Sequence, residues 1–312
     1  MTRLQNKVHP LVWPTMAAAL VLSWSSGFVG IRYASENADV MLVLFWRTFL
    51  SGLILLPFAL LIGQRISART LTLQMVFGVA TMFLYLGGFA LAIGQRVPTG
   101  LVALISDLVP LAIAALSQPL LGHRLTGRQW SGTAVGVAGV LIVSLDSLSL
   151  GTAPVWAYVL TVASMMMFAL ATVVQKRIGT IDMPIYQSLC IQCLTAAIFF
   201  AACAEWNGGL TPPLDGRFQF GMMWLVLFST FFCYGVYYMS LRLYTAAQVS
   251  SVVYLSPAVT MLWAWLIFGE PLSRATFLGL AVTLFGVWLT SSSGAASSKD
   301  KAGSGSCEQP AG

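Results

Sequence analysis

Ten apolar runs, each about the length of a membrane-crossing helix and separated by short polar breaks, dominate this chain. An α-helix rises 1.5 Å per residue, so about 20 residues cross a bilayer core about 30 Å thick. The runs cover 11–31, 40–62, 71–93, 99–121 and 130–145, then 154–174, 184–204, 220–241, 246–268 and 275–290. Their connections leave no room for a soluble domain. Charge supply closes the argument: 26 of 312 residues are Lys, Arg, Asp or Glu, or 8%, whereas a soluble domain carries about 25%. A water-facing surface cannot be built from that supply, and the mean hydropathy is +0.83. A soluble enzyme, a disordered chain and a nucleic-acid module are excluded. The expected fold is an all-α polytopic membrane protein with ten transmembrane helices.

The net charge of +6 matters less than where the positive residues fall. With the N-terminus inside, the cytoplasmic segments collect 11 of them: Arg3, Lys7, Arg65, Arg69, Arg124, Arg128, Lys176, Arg177, Arg242, Lys299 and Lys301. The opposite side collects 4, Arg32, Arg96, Arg217 and Arg274, and Arg47 remains inside a span. The positive-inside rule then sets both termini in the cytoplasm, and the expected location is the bacterial inner membrane. Arg3 and Lys7 before an apolar run imitate a signal peptide, but the run is long enough to span and hydrophobic hairpins follow at once. Residues 1–10 read as a cytoplasmic tail. The Ser/Gly/Ala/Lys composition of 291–312 has nothing to bury and reads as disordered. Cys190 and Cys193 form a C-x-x-C inside an apolar run without a His or acidic neighbour, which points to packing rather than redox or metal chemistry.

Sliding the chain against itself by 147 residues pairs 102–140 with 249–287 without a gap. Shared Pro110/Pro257, Gly122/Gly269, Gly132/Gly279 and Gly139/Gly286 are hard to obtain from an apolar composition alone. Residues 11–149 therefore read as a first five-helix repeat and 150–290 as a second. Because five is odd, the second enters the membrane from the opposite side, the inverted plan of secondary transporters. Pro110 and Pro257 each lie 11 residues into a span, about 16 Å deep and near the midplane. Proline removes a backbone donor there. The two breaks either kink helices for packing or open backbone hydrogen bonds to a polar solute. Gly132, Gly136, Gly139, Gly279 and Gly286 read as close-packing positions that join the fifth and tenth helices or support a homodimer.

These residues resemble the EamA-type branch of the drug/metabolite transporter superfamily. The closing segment of each half carries the resemblance: SSVVYLSPAVTMLWAWLIFGEPLSRATFLGLAVTLFGVWL in the second and LVALISDLVPLAIAALSQPLLGHRLTGRQWSGTAVGVAGVLIV in the first, with LSWSSGFVGIRYA and FWRTFL earlier. His123 stands where the family pattern has Glu, the position of Glu270 in the second half. The resemblance covers about 280 residues and implies two five-helix repeats and transport of amino acids, purines, drugs or other metabolites.

Two charges lie well inside the runs, Arg47 about 10 Å and Asp107 about 12 Å deep on the same side. Their matched depth permits a salt bridge; lining a solute path and, for Arg47, snorkelling to the surface are the other readings. Trp24 and Ser25 in the first span, Tyr85 in the third, Tyr237 in the eighth, and Tyr254, Ser256 and Trp263 in the ninth add hydroxyls and aromatic faces around the proline breaks. Such a pathway favours neutral, zwitterionic or amphipathic solutes. His123 and Glu270 are candidates for capping or gating. The leading expectation is a secondary carrier exporting a small metabolite by alternating access. It lacks a G-x-x-x-x-G-K-[ST] loop for ATP. No metal or other cofactor and no nucleic-acid partner are expected; the bilayer and a small solute are, and a coupling proton stays open. A membrane enzyme, receptor or channel is the alternative.

Overall fold

The computed structural model describes residues 12–122, 126–149, 153–178, 183–244, 249 and 252–303. Among these residues the chain is all-helical. Eight rods are long and apolar enough to cross a bilayer. They begin with α1 (Val12–Ala34), α2 (Val40–Leu61) and α3 (Ala68–Gly94). The fourth is divided into α4 (Thr99–Ser106) and α5 (Val109–Leu121). Next come α6 (Gly127–Ser149), α7 (Val155–Ile178) and α8 (Ile185–Asn207). The eighth, α9, runs from Gly216 through a π-helical segment, Trp224–Phe232, to Leu243. Two shorter apolar stretches follow: α10 (Ser256–Phe268) and the first part, Arg274–Leu289, of α11 (Arg274–Gly303). Much of the ninth apolar run before α10 lies outside the described residues. The last helix continues through residues whose composition predicts a disordered tail; Ala, Ser and Lys without proline offer no local obstacle to it.

Local chemistry explains where the rods start and stop. The Asp39 carboxylate accepts the amides of Met41 and Leu42 at the start of α2. Thr126 and Gln129 exchange hydrogen bonds at the start of α6, a capping box. Ser273 accepts the Thr276 amide at the start of α11. Gly122 and Gly269 end α5 and α10 in the left-handed region, at φ 72° and 67°, where a side chain would be strained. The Thr126/Ser273 and Gly122/Gly269 devices recur 147 residues apart.

Packing between rods depends on close backbone approach. On α6 and α11 the glycines face one another: a Cβ on Gly139 would lie 2.6 Å from the Gly279 carbonyl, and one on Gly286 2.6 Å from the Gly132 carbonyl. Thr283 in α11 donates to its own helix at the Gly279 carbonyl, 2.8 Å, and across to the Gly136 carbonyl, 3.4 Å. This close packing of α6 against α11 is what the glycine spacing predicts. Gly52 similarly admits Leu194 between α2 and α8, and Gly78 admits the Gln192 backbone between α3 and α8. Outward faces remain apolar, with Leu61, Val159, Phe277 and Trp288 exposed, as an integral multi-pass protein requires.

Polar contacts gather the charged loops at one end. Arg217 pairs with Glu36, Asn37 with Asp215, Asn207 with Asp39, and Ser273 with Asp146. Of these residues, Arg217 is one of the four that charge counting assigns to the non-cytoplasmic side. Gly139→Leu is expected to lower thermal stability in detergent by about 1–3 kcal/mol, because the opposing surface is backbone and cannot yield. Gly127→Ala, with open space around it, is expected to stay within about 0.5 kcal/mol. Equal melting temperatures for the two variants would refute the seam.

Candidate functional site

Two interruptions organise the interior. Between α4 and α5 the chain turns at Asp107 and Leu108, where the Leu108 amide donates back to the Ile105 carbonyl, 3.1 Å. Before α10 it turns at Tyr254 and Leu255, where the Leu255 amide donates to the Val252 carbonyl, 3.0 Å. The turns are 147 residues apart, and their last residues share dihedrals: φ −78°, ψ −7° at Leu108 and φ −81°, ψ −9° at Leu255. Pro110 and Pro257 occupy the second position of the following helices, where the missing amide would be unsatisfied in any case. The prolines therefore sit just after the breaks and set the direction of the restarting helix.

At the first break the Tyr85 hydroxyl shares a 2.9 Å hydrogen bond with Ser106. Its ring packs 4.5 Å from each of Phe89 and Phe168, which joins α3, α4 and α7. Asp107 Oδ2 is buried without a hydrogen-bond partner among the described residues. At the second break the Ser25 hydroxyl lies 3.1 Å from the Ser256 carbonyl and 3.2 Å from its hydroxyl, so α1 is tied to the start of α10. Thr260 donates to the same carbonyl, 2.9 Å. Trp24 faces Tyr237 at 5.9 Å, Trp263 faces Trp224 at 6.1 Å, and Tyr254 is half-buried in the turn.

Arg47 does not meet Asp107: among the described residues the one ion pair is Arg217 with Glu36. The depths expected from residue counting permit a pair, but the two side chains have different neighbours. Arg47 Nη2 reaches Ser229 on α9 at 3.4 Å, and its electrostatic neighbours are Tyr234, Cys193 and Cys233. Asp107 instead lies by Tyr85. Ser229 belongs to the π-helical segment of α9, and α1 approaches it so closely that a Cβ on Gly27 would lie 2.7 Å from Ser229 Oγ. A second π segment, Val79–Leu84, precedes Tyr85. Such segments are frequent at functional sites, and apolar periodicity gives no sign of them. A further missed group is Gln74, whose carbonyl accepts Ser188, 2.7 Å, and Gln192, 2.8 Å. Three amide and hydroxyl residues inside apolar runs, with Ser188 and Gln192 one helical turn apart, were the available signal.

Glu270 caps from a distance. It follows α10 yet accepts the Thr99 amide at 2.8 Å and the Thr99 hydroxyl at 2.7 Å, at the first residue of α4. His123 lies outside the described residues. Burial pushes the Glu270 carboxyl above its ordinary value, opposed by the Thr99 hydrogen bonds and by Arg32. A raised carboxyl holds its proton more tightly in the folded protein, so its contribution to stability falls as pH rises from about 4.5 through the raised value. Replacing Glu270→Gln is expected to flatten that part of the melting-temperature profile against pH. Glu270→Ala is expected to cost about 1–3 kcal/mol by orphaning the Thr99 donors. An unchanged profile in the Gln variant would refute the assignment.

Comparison with known proteins accords with this architecture. The model of the EamA-like transporter family matches residues 11–145 and again 155–292. An uncharacterized inner membrane transporter, YedA, of Escherichia coli K12 is 28% identical over 276 residues, 87% of this chain and 88% of its own. A probable amino-acid metabolite efflux pump of the same organism is 26% identical over 290 residues, 88% of this chain and 93% of its own. A solved crystal structure superimposes with a TM-score of 0.62 at 17% identity, over 90% of this chain and 98% of that one, which shows a shared fold. The chain is a membrane transporter and belongs to the EamA-like transporter family.

Proposed function

We propose that this transporter is a secondary carrier exporting a small neutral, zwitterionic or amphipathic metabolite, of the amino-acid kind, across a bacterial inner membrane with both termini cytoplasmic. It works by alternating access between two inverted five-helix halves, ten spans in all. The observation that carries this reading is the recurrence of the helix break: turn, N2 proline and left-handed glycine stop, each 147 residues apart. Two equivalent broken helices approaching the midplane from opposite faces suit a carrier whose halves exchange conformations. The amino-acid part is supported by the name of the efflux relative and by the hydroxyl and aromatic groups at the breaks. Trp24, Ser25, Arg47, Tyr85, Asp107, Pro110, Tyr237, Tyr254, Ser256, Pro257 and Trp263 form the proposed pathway. If a proton is coupled, Asp107 is the deep carboxylate available to carry it.

In proteoliposomes the reading expects saturable counterflow: an internal unlabelled solute accelerates entry of the labelled one, without added ATP. Ser25→Ala releases the Ser256 carbonyl from α1 and is expected to slow exchange severalfold, with stability reduced by about 1 kcal/mol. Flux that rises linearly with concentration, without counterflow, would refute a carrier.

A further inference from the structure

A cation inside a span demands an explanation for its counter-charge, and Arg47 has none among the described residues. Glu36 is engaged by Arg217, Asp39 and Asp215 cap helices, Asp146 accepts from Ser273, and Glu270 holds Thr99. Glu205 is exposed near the end of α8, and Asp107 lies by Tyr85. What surrounds the guanidinium is neutral: Ser229, Tyr234, Cys193 and Cys233. A lone arginine in a span costs about 2.5–3.5 kcal/mol to insert, and such residues face a partner or a water-filled path. Among the described residues its one hydrogen bond, to Ser229, is long at 3.4 Å. Arg47 also stays partly accessible although it sits two turns inside α2. Arg32 differs: its Nε is sealed without a partner, while Nη1 donates to the Ile93 carbonyl at 3.2 Å.

The surroundings are built to keep this fork presented. The π-helical winding of α9 carries Ser229 toward α2, and Gly27 lets α1 close over the same hydroxyl. A planar guanidinium with most of its five donors uncommitted is shaped for bidentate recognition of a carboxylate. With no second cation among its neighbours, it balances one negative charge, which suits a carboxylate rather than a doubly charged phosphate.

We propose that Arg47, with Ser229 beside it, is the subsite that binds the carboxylate of the transported solute, so that the substrate class is α-amino or related monocarboxylic acids rather than their neutral derivatives. This inference rests on the carrier reading above. The test uses the full chain in proteoliposomes and two probe sets, the twenty common amino acids and the matching carboxamides. The wild type is expected to exchange at least one acid while discriminating against its amide. Arg47→Gln is expected to raise the half-saturating concentration for that acid about 10- to 100-fold and to erase the discrimination. Arg47→Lys, which keeps charge and loses the fork, is expected to fall between. Should Arg47→Gln fail to fold, Ser229→Ala carries the test, with a severalfold weaker acid and an unchanged amide. Exchange of acids and amides alike by the wild type, or full discrimination in Arg47→Gln or Ser229→Ala, overturns the anchor and leaves the carrier standing. Absence of exchange with every amino acid overturns the amino-acid reading and the anchor together.

Discussion

Hydrocarbon offers no hydrogen-bond partner, so every backbone amide and carbonyl that leaves the helical pattern must be met by another group of the protein. The departures in this chain are few, and most are answered by an identifiable side chain or turn. Where α4 stops, the amide of Leu108 turns back to Ile105; where α10 begins, Leu255 does the same to Val252. Ser25 reaches across from α1 to the Ser256 carbonyl. Glu270 crosses from the other half of the sequence to satisfy the first amide of α4. Against this background of matched groups, Arg47 and Asp107 are left without a partner of opposite charge among the described residues, and each has a neighbour in or next to an irregular segment.

Those irregular segments supply the polar neighbours of the two charges. A π-helical turn holds an extra residue, so every side chain beyond it points in a new direction. One such turn ends at Leu84, immediately before Tyr85, and the other contains Ser229. Tyr85 is thereby given to Ser106 and the first break, while Ser229 is given to Arg47. The two charges thus lie in separate polar neighbourhoods, Asp107 with α3 and α4 and Arg47 with α2, α8 and α9.

Much of the architecture could be read from residues alone because its determinants are local. Pro110 and Pro257, Gly122 and Gly269, and the facing glycines of α6 and α11 act through their own backbone freedom or lack of bulk, which a sequence displays directly. The presence of Arg47 and Asp107 inside apolar runs was equally legible. Their separation was not, since it depends on rotation about α2 and α4 and on π turns that tertiary packing imposes. The same holds for Ser229 and for the Gln74 group: a hydroxyl or amide in an apolar run announces that it needs a partner without saying which helix supplies it. Continuation of α11 to Gly303 departs from compositional expectation for a related reason, because composition reports how little a segment can bury and not whether a helix already under way will persist.

The glycine seam between α6 and α11 has a mechanical meaning. Each half of the chain ends its apolar part in one member of this pair, and the two are in backbone contact along several turns, with Thr283 bonded across the joint. Sliding one over the other would force carbonyl against carbonyl. The pair is therefore a fixed axle, and any movement of one half against the other has to be taken up by the helices that precede it.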